Sequence, residues 1–203
     1  MTIHLHKGDL PADLDLGSRI AVDTETRGLN PHRDPLCLVQ LSSGDGDAHL
    51  VQVNRPDYDA PNLKKILSNP KTTTLYHFAR FDVAIIKKYL GVELGPIYCT
   101  RTASKLVRTY TDRHGLREVC KELLGVDLNK QQQSSDWGAG DLSEAQLQYA
   151  ANDVLHLHAL QDKFNEMLIR EGRMDLAQRC FDFLPLRADL DLEGWPEIDI
   201  FAH

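Results

Sequence analysis

The chain has 203 residues, 42% of them apolar, and a formal net charge of −7. That is enough apolar material for one globular core. The acidic balance argues against a protein that grips long nucleic acid through many phosphate contacts.

No apolar run reaches the length of a membrane span. The N-terminal stretch MTIHLHKGDLPADLDLGSR carries three Asp and no sustained apolar segment, so it reads as no secretory leader. Strand patterns then fall near 18–24, 36–42, 48–53, 73–77 and 96–99. The first three are joined by GLNPHRDP and SGDGDA, which is turn chemistry and suggests an antiparallel meander. Helical patterns follow at 61–69, 80–90, 101–110, 115–124 and 143–171, then at 173–184, and an acidic–apolar tail closes the chain. A meander followed by strand–helix units implies an α/β fold with a mixed sheet of five to six strands flanked by helices. No internal repeat or Gly/Ser linker divides the chain, so residues 1–203 read as a single domain. Cys37, Cys99, Cys120 and Cys180 are widely spaced with no Cys-x-x-Cys pair, the usage of a reducing, cytoplasmic compartment.

Five residues carry the chemistry. Asp23 and Glu25 lie in the strand RIAVDTET, where residues i and i+2 share a face while Thr24 turns away. Asp82 lies at the start of a helix in LYHFARFDVAII, and Tyr149 and Asp153 lie in SEAQLQYAANDVLHLHAL. Their i, i+4 spacing stacks phenol and carboxylate on one helical face. Asp-x-Glu alone should occur about once by chance in a chain this long, so order and context give the pattern its weight. Four carboxylates gathered in one place repel each other unless divalent cations lie between them. Oxygen donors select Mg²⁺ or Mn²⁺, and a pair of such ions suits in-line phosphoryl displacement.

At VDTET, HFARFD and YAAND the sequence resembles the three motifs of the RNase D-like 3′–5′ exonucleases, the DEDD superfamily in its tyrosine form. KQQQSSDWGAGDLSEAQLQYAANDVLHL extends the likeness, which covers roughly residues 18–170. Gln148 stands where the histidine subclass would place its His, so the tyrosine form is the one implied. The resemblance implies a ribonuclease H-like 3′–5′ exonuclease fold. It also implies a two-metal site in which Asp23 bridges both ions and Glu25, Asp82 and Asp153 complete the ligand set. Tyr149 would orient or deprotonate the attacking water. A free phenol, with a pKa near ~10, is a poor base at neutral pH, so positioning is its better description. Substrate contacts would come from Thr24, Leu29, His77, Arg80, Phe81, Lys130, Gln133, Ser135 and Trp137. Leu29 would wedge between bases; His77 would touch phosphate or brace a ligand, or else end its strand as a structural residue. Trp137 would stack on a base or pack on the helix beginning at Ser143. Many relatives have Asn directly after this His, whereas this sequence has Phe78.

Positive charge concentrates where Arg101, Lys105 and Arg108 recur at i, i+4 and i+7. A small basic stripe suits a short substrate with few phosphates, or a patch assembled from several subunits. Stand-alone length, HFARFD and the lack of a helical appendage look like the bacterial nanoRNase C branch, whose members are ring-like octamers that hydrolyse very short RNAs, dinucleotides above all. General 3′-end trimming of longer RNA or DNA, and a catalytically silent nucleic-acid-binding module, are the alternatives. In the tail, Leu192, Trp195, Ile198, Ile200 and Phe201 interleave with acids. They would either fold back or meet the Arg101–Arg108 stripe of a neighbouring subunit in a homo-oligomer, an octamer by resemblance.

Overall fold

The structure, a computed structural model, describes residues 1–129, 132 and 134–203. Six strands form one sheet: β1 (Ile3–Lys7), β2 (Arg19–Thr26), β3 (Leu36–Ser42), β4 (Ala48–Gln52), β5 (Thr73–Tyr76) and β6 (Ile97–Cys99). Their spatial order is β1-β4-β3-β2-β5-β6. β2, β3 and β4 pair antiparallel as the expected meander, while β5 and β6 join parallel to β2 and to each other. Every residue of β3 is buried, as a strand covered on both faces must be.

Seven helices are described: α1 (Pro61–Leu67), α2 (Ala79–Leu90), α3 (Thr100–Val107), α4 (Leu116–Leu124), α5 (Glu144–Leu155), α6 (Leu157–Arg170) and α7 (Met174–Leu192). α5 packs against β2, β3 and β4, and α2 packs between the sheet and α7. α5 begins with a capping box in which Ser143 Oγ accepts from the Gln146 amide and Gln146 Oε1 accepts from the Ser143 amide, satisfying donors the first turn leaves open.

Three elements depart from the sequence expectation. β1 was not expected, because IHLHK is polar; as an edge strand its exposed side chains cost little, and parallel pairing with β4 holds it in place. The helical pattern at 143–171 is two helices broken at His156. Neither Pro nor Gly marks the break, so periodicity runs straight through it. Conversely, α7 continues to Leu192 through Pro185, a residue that normally ends a helix. The tail beyond the last helix is therefore shorter than the sequence suggested.

Candidate active site

β2 carries Asp23 and Glu25 onto one face, and α5 brings Asp153 against them. Carboxylate oxygens of Asp23, Glu25 and Asp153 all lie within 4.8 Å of one another. At that separation each charged pair would repel by about 3 kcal/mol at an effective dielectric near ~20. Asp82 lies in the first turn of α2, 3% exposed, and accepts a 2.7 Å hydrogen bond from Thr24 Oγ1. Gln40, on β3, donates from Nε2 to Asp23 Oδ2 at 3.3 Å. Tyr149 hydrogen-bonds Asp153 one helical turn away.

Burial dominates the protonation of this cluster. It pushes the Asp23 carboxyl up to about 7. It raises Glu25, Asp82 and Asp153 well above the carboxylate range, with the neighbouring acids adding to the effect. Tyr149 is raised by burial and by Asp153, so its phenol keeps its proton. Carboxylate oxygens converging in a buried place, none of them in an ion pair among the described residues, are the donor set of a hard divalent ion, and the residues fit Mg²⁺ or Mn²⁺.

Asp23, Glu25, Tyr149 and Asp153 line a cavity of about 640 Å³, within the range that encloses a small ligand. Leu29 stands at its wall, 84% exposed. Thr24, Phe81, His77, Ser135 and Trp137 also line it. Thr24 spends its hydroxyl on Asp82, and Ser135 donates its own to Gln132 Oε1 at 2.6 Å. His77 Nδ1 pairs with Thr100 Oγ1 at 2.8 Å; burial, with Arg101 adding, pushes its ring down to about 3, so it is neutral near pH 7. Trp137 is 2% exposed and lies 6.0 Å from the Tyr149 ring. It buttresses the cavity wall more than it offers a free stacking face, which favours the packing alternative for this residue. Arg80 is not on the cavity wall: its guanidinium grips Asp191. Lys130 and Gln133 lie outside the described residues.

The expected basic stripe does not form. Arg108 is 1% exposed and holds Glu122, Ser104 Oγ and the Arg113 carbonyl, tying α3 to α4. Arg101 instead turns into the cavity and stacks over the Phe78 ring at 4.9 Å. Phe78 itself takes a left-handed backbone, φ 77°, a conformation that costs a bulky residue energy and clusters at functional sites. Arg27 is one of the cavity residues the sequence reading did not assign to the site, Arg101 and Arg117 being others. Arg27 lies just beyond β2 and past a bulge between Glu25 and Thr26, where strand parity no longer tells which side a residue faces. A Cβ at Gly138 would fall 2.1 Å from Arg27 Nε, so glycine there makes room for the guanidinium. Neither Arg27 nor Arg101 has an ion-pair partner among the described residues.

A mixed sheet with three acidic motifs converging at the end of β2 is the architecture of a DEDD-type nuclease domain. Residues 9–169 match the 3′–5′ exonuclease domain family, and the chain belongs to that family. Ribonuclease D of Gluconacetobacter diazotrophicus is 34% identical over 156 residues, covering 77% of this chain and 39% of the relative. The chain spans about two fifths of the length of the first curated relatives it matches. Brucella melitensis NrnC with bound Mg²⁺ is 52% identical with a TM-score of 0.95, covering 100% of both chains. Brucella melitensis NrnC bound to pGG is 53% identical with a TM-score of 0.96, covering 100% of this chain and 99% of that one. Escherichia coli RNase D is 25% identical with a TM-score of 0.74 over 84% of this chain and 45% of its own.

Proposed function

We propose that this protein is a two-metal-ion 3′–5′ exoribonuclease that hydrolyses very short RNAs, 5′-phosphorylated dinucleotides preferred, to nucleoside 5′-monophosphates. The observation that carries this reading is the convergence of the Asp23, Glu25 and Asp153 oxygens within 4.8 Å, in a cavity also lined by Tyr149. Asp23, Glu25, Asp82 and Asp153 would hold two ions, Mg²⁺ or Mn²⁺. When bound, such ions lower the pKa of a coordinated water and stabilise the leaving 3′-oxygen.

The chain's own groups do the rest. Tyr149 keeps its proton, so it positions the attacking water rather than deprotonating it. Thr24 fixes Asp82, and Gln40 fixes Asp23, so the ligand oxygens are held before substrate arrives. Leu29 projects from the wall to separate the two bases. Arg27 and Arg101, two cations without ion-pair partners among the described residues, suit a substrate with few phosphates. A cavity of about 640 Å³ and the pGG bound by the Brucella NrnC relative support the dinucleotide preference.

We also propose a homo-oligomer, the number eight resting on the resemblance to the nanoRNase C branch. Leu176, Leu186, Ile198 and Phe201 stand more than half exposed on α7 and the tail, a surface that suits a second copy. Four unpaired cysteines support a reducing, cytoplasmic setting.

The test is turnover of a 5′-phosphorylated dinucleotide in Mg²⁺. Asp23→Asn, Glu25→Gln, Asp82→Asn and Asp153→Asn should each abolish it in folded protein. Tyr149→Phe should lower turnover by about 10²-fold or more while Mg²⁺ and substrate still bind. An Asp153→Asn protein as active as wild type would contradict the metal assignment.

A further inference from the structure

We propose that Asp191 is a positioning residue for the metal site, acting through Arg80 on the first turn of α2; the inference rests on the metal-dependent reading above. That turn presents Phe81 to the cavity and carries Asp82. Nothing local fixes it well. Its N-cap is Phe78 in the left-handed region, and no side chain caps the turn's open amides, which leaves a helix start poorly anchored.

The anchor comes from the far end of the chain. Arg80 Nε donates to Asp191 Oδ2 at 2.6 Å and Arg80 Nη2 to Asp191 Oδ1 at 2.7 Å, a two-pronged fork that fixes direction as well as distance. Arg187, one turn earlier on α7, donates to the same Oδ1 at 2.6 Å. Both arginines then close on the following turn: Arg80 donates to the Pro196 carbonyl, and Arg187 to the Trp195 carbonyl. Asp191 is 8% exposed. Burial alone would raise its pKa, but hydrogen bonds from Arg80 and Arg187 hold it below the ordinary carboxylate range, so the clamp stays charged at neutral pH. Further along α2, Lys87 pairs with Asp189 at 2.5 Å, so the two helices are tied at two points.

Arg80 is one residue from Phe81 and two from Asp82. Released from Asp191, it would leave the uncapped first turn free to shift. The Asp82 carboxylate is held on its far side by Thr24, through Oγ1 at 2.7 Å and the backbone amide, so a displacement of the turn pulls a metal ligand away from that support. Metal sites tolerate misplacements of only about 0.5 Å. Arg80 is absent from the cavity wall, so loss of the clamp removes no guanidinium contact to substrate; it acts by letting the turn that carries Phe81 and Asp82 shift.

The test compares wild type, Asp191→Asn and Arg80→Lys in the full chain. Mg²⁺ affinity is read by calorimetry, and kcat and KM are read on pGG across a Mg²⁺ titration. Asp191→Asn should weaken Mg²⁺ binding by about tenfold, the low end for groups that support a metal site. kcat should fall at low Mg²⁺ and recover at high Mg²⁺, and at saturating Mg²⁺, which draws the turn back into place, KM for pGG should match wild type. Should Asp191→Asn not fold, Arg80→Lys carries the test, since lysine keeps the charge but loses the fork. A lowered melting temperature with unchanged Mg²⁺ affinity in both variants would overturn the proposal, and so would a raised KM with unchanged Mg²⁺ affinity, which marks Arg80 as a substrate contact. If wild type binds Mg²⁺ without cleaving pGG, the nuclease reading fails while the calorimetric comparison still decides the clamp.

Discussion

The electrostatics of Asp23, Glu25, Asp82 and Asp153 make the protein's stability depend on both pH and metal. Each carboxyl is raised by burial, Asp23 to about 7. A group whose folded-state pKa is raised holds its proton more tightly folded than unfolded. Its favourable contribution is complete below the unfolded carboxyl value near ~4 and is lost as the pH climbs through the folded value. Metal-free protein should therefore have a lower urea midpoint at pH 8 than at pH 5, and Mg²⁺ should restore it at pH 8. A midpoint indifferent to Mg²⁺ at pH 8 would count against a cation-binding cluster. Much of this site was legible in the sequence, because strand parity pairs Asp23 with Glu25 and the i, i+4 rule pairs Tyr149 with Asp153. What the sequence hid was the commitment of polar groups to tertiary partners. Arg80 is given to Asp191, and Arg108 to Glu122; both partners lie far from local pattern rules.

Among the elements, the start of α2 shows where function overrides local preference. Phe78 occupies a left-handed position that glycine or asparagine would fill with less strain, and it supports Arg101 at the cavity wall. Phe78→Asn should raise stability by up to about 1 kcal/mol while raising KM for a dinucleotide, since Arg101 loses its platform. A less stable protein with unchanged KM would make Phe78 a packing residue. The meander and most of the helices could be read from alternation, turn residues and 3.6-residue periodicity. β1 could not, because its stability comes from pairing with β4 and not from its own side chains. The break at His156 was equally silent. Apolar residues continue in phase across it, and only the separate packing of α5 on the sheet and of α6 against α3 divides them. Pro185 misled in the other direction, since α7 continues through it.

At the scale of the whole molecule, composition and motif order identified the class, and the sheet order and family match agree with it. The tail was only half legible. Its acids looked like partners for a neighbouring subunit, yet Asp191 and Asp189 pair with Arg80, Arg187 and Lys87 of the same chain. The apolar residues beyond Pro196 stay largely exposed, with Phe201 74% accessible and resting near Phe183. Removing residues 197–203, which leaves the Asp191 clamp in place, should yield smaller species by light scattering; an unchanged assembly would remove the tail from the interface. The central claim, a metal-dependent exonuclease adapted to very short RNA, is tested most directly by a timed competition in Mg²⁺. A 5′-phosphorylated dinucleotide and a 20-mer, each labelled at its 5′ end, are offered together. Mononucleotide should accumulate from the dinucleotide while the 20-mer remains intact, and a chelator should stop the reaction. Equal rates on the two substrates would contradict the dinucleotide preference, and turnover that survives the chelator would contradict the metal-dependent mechanism.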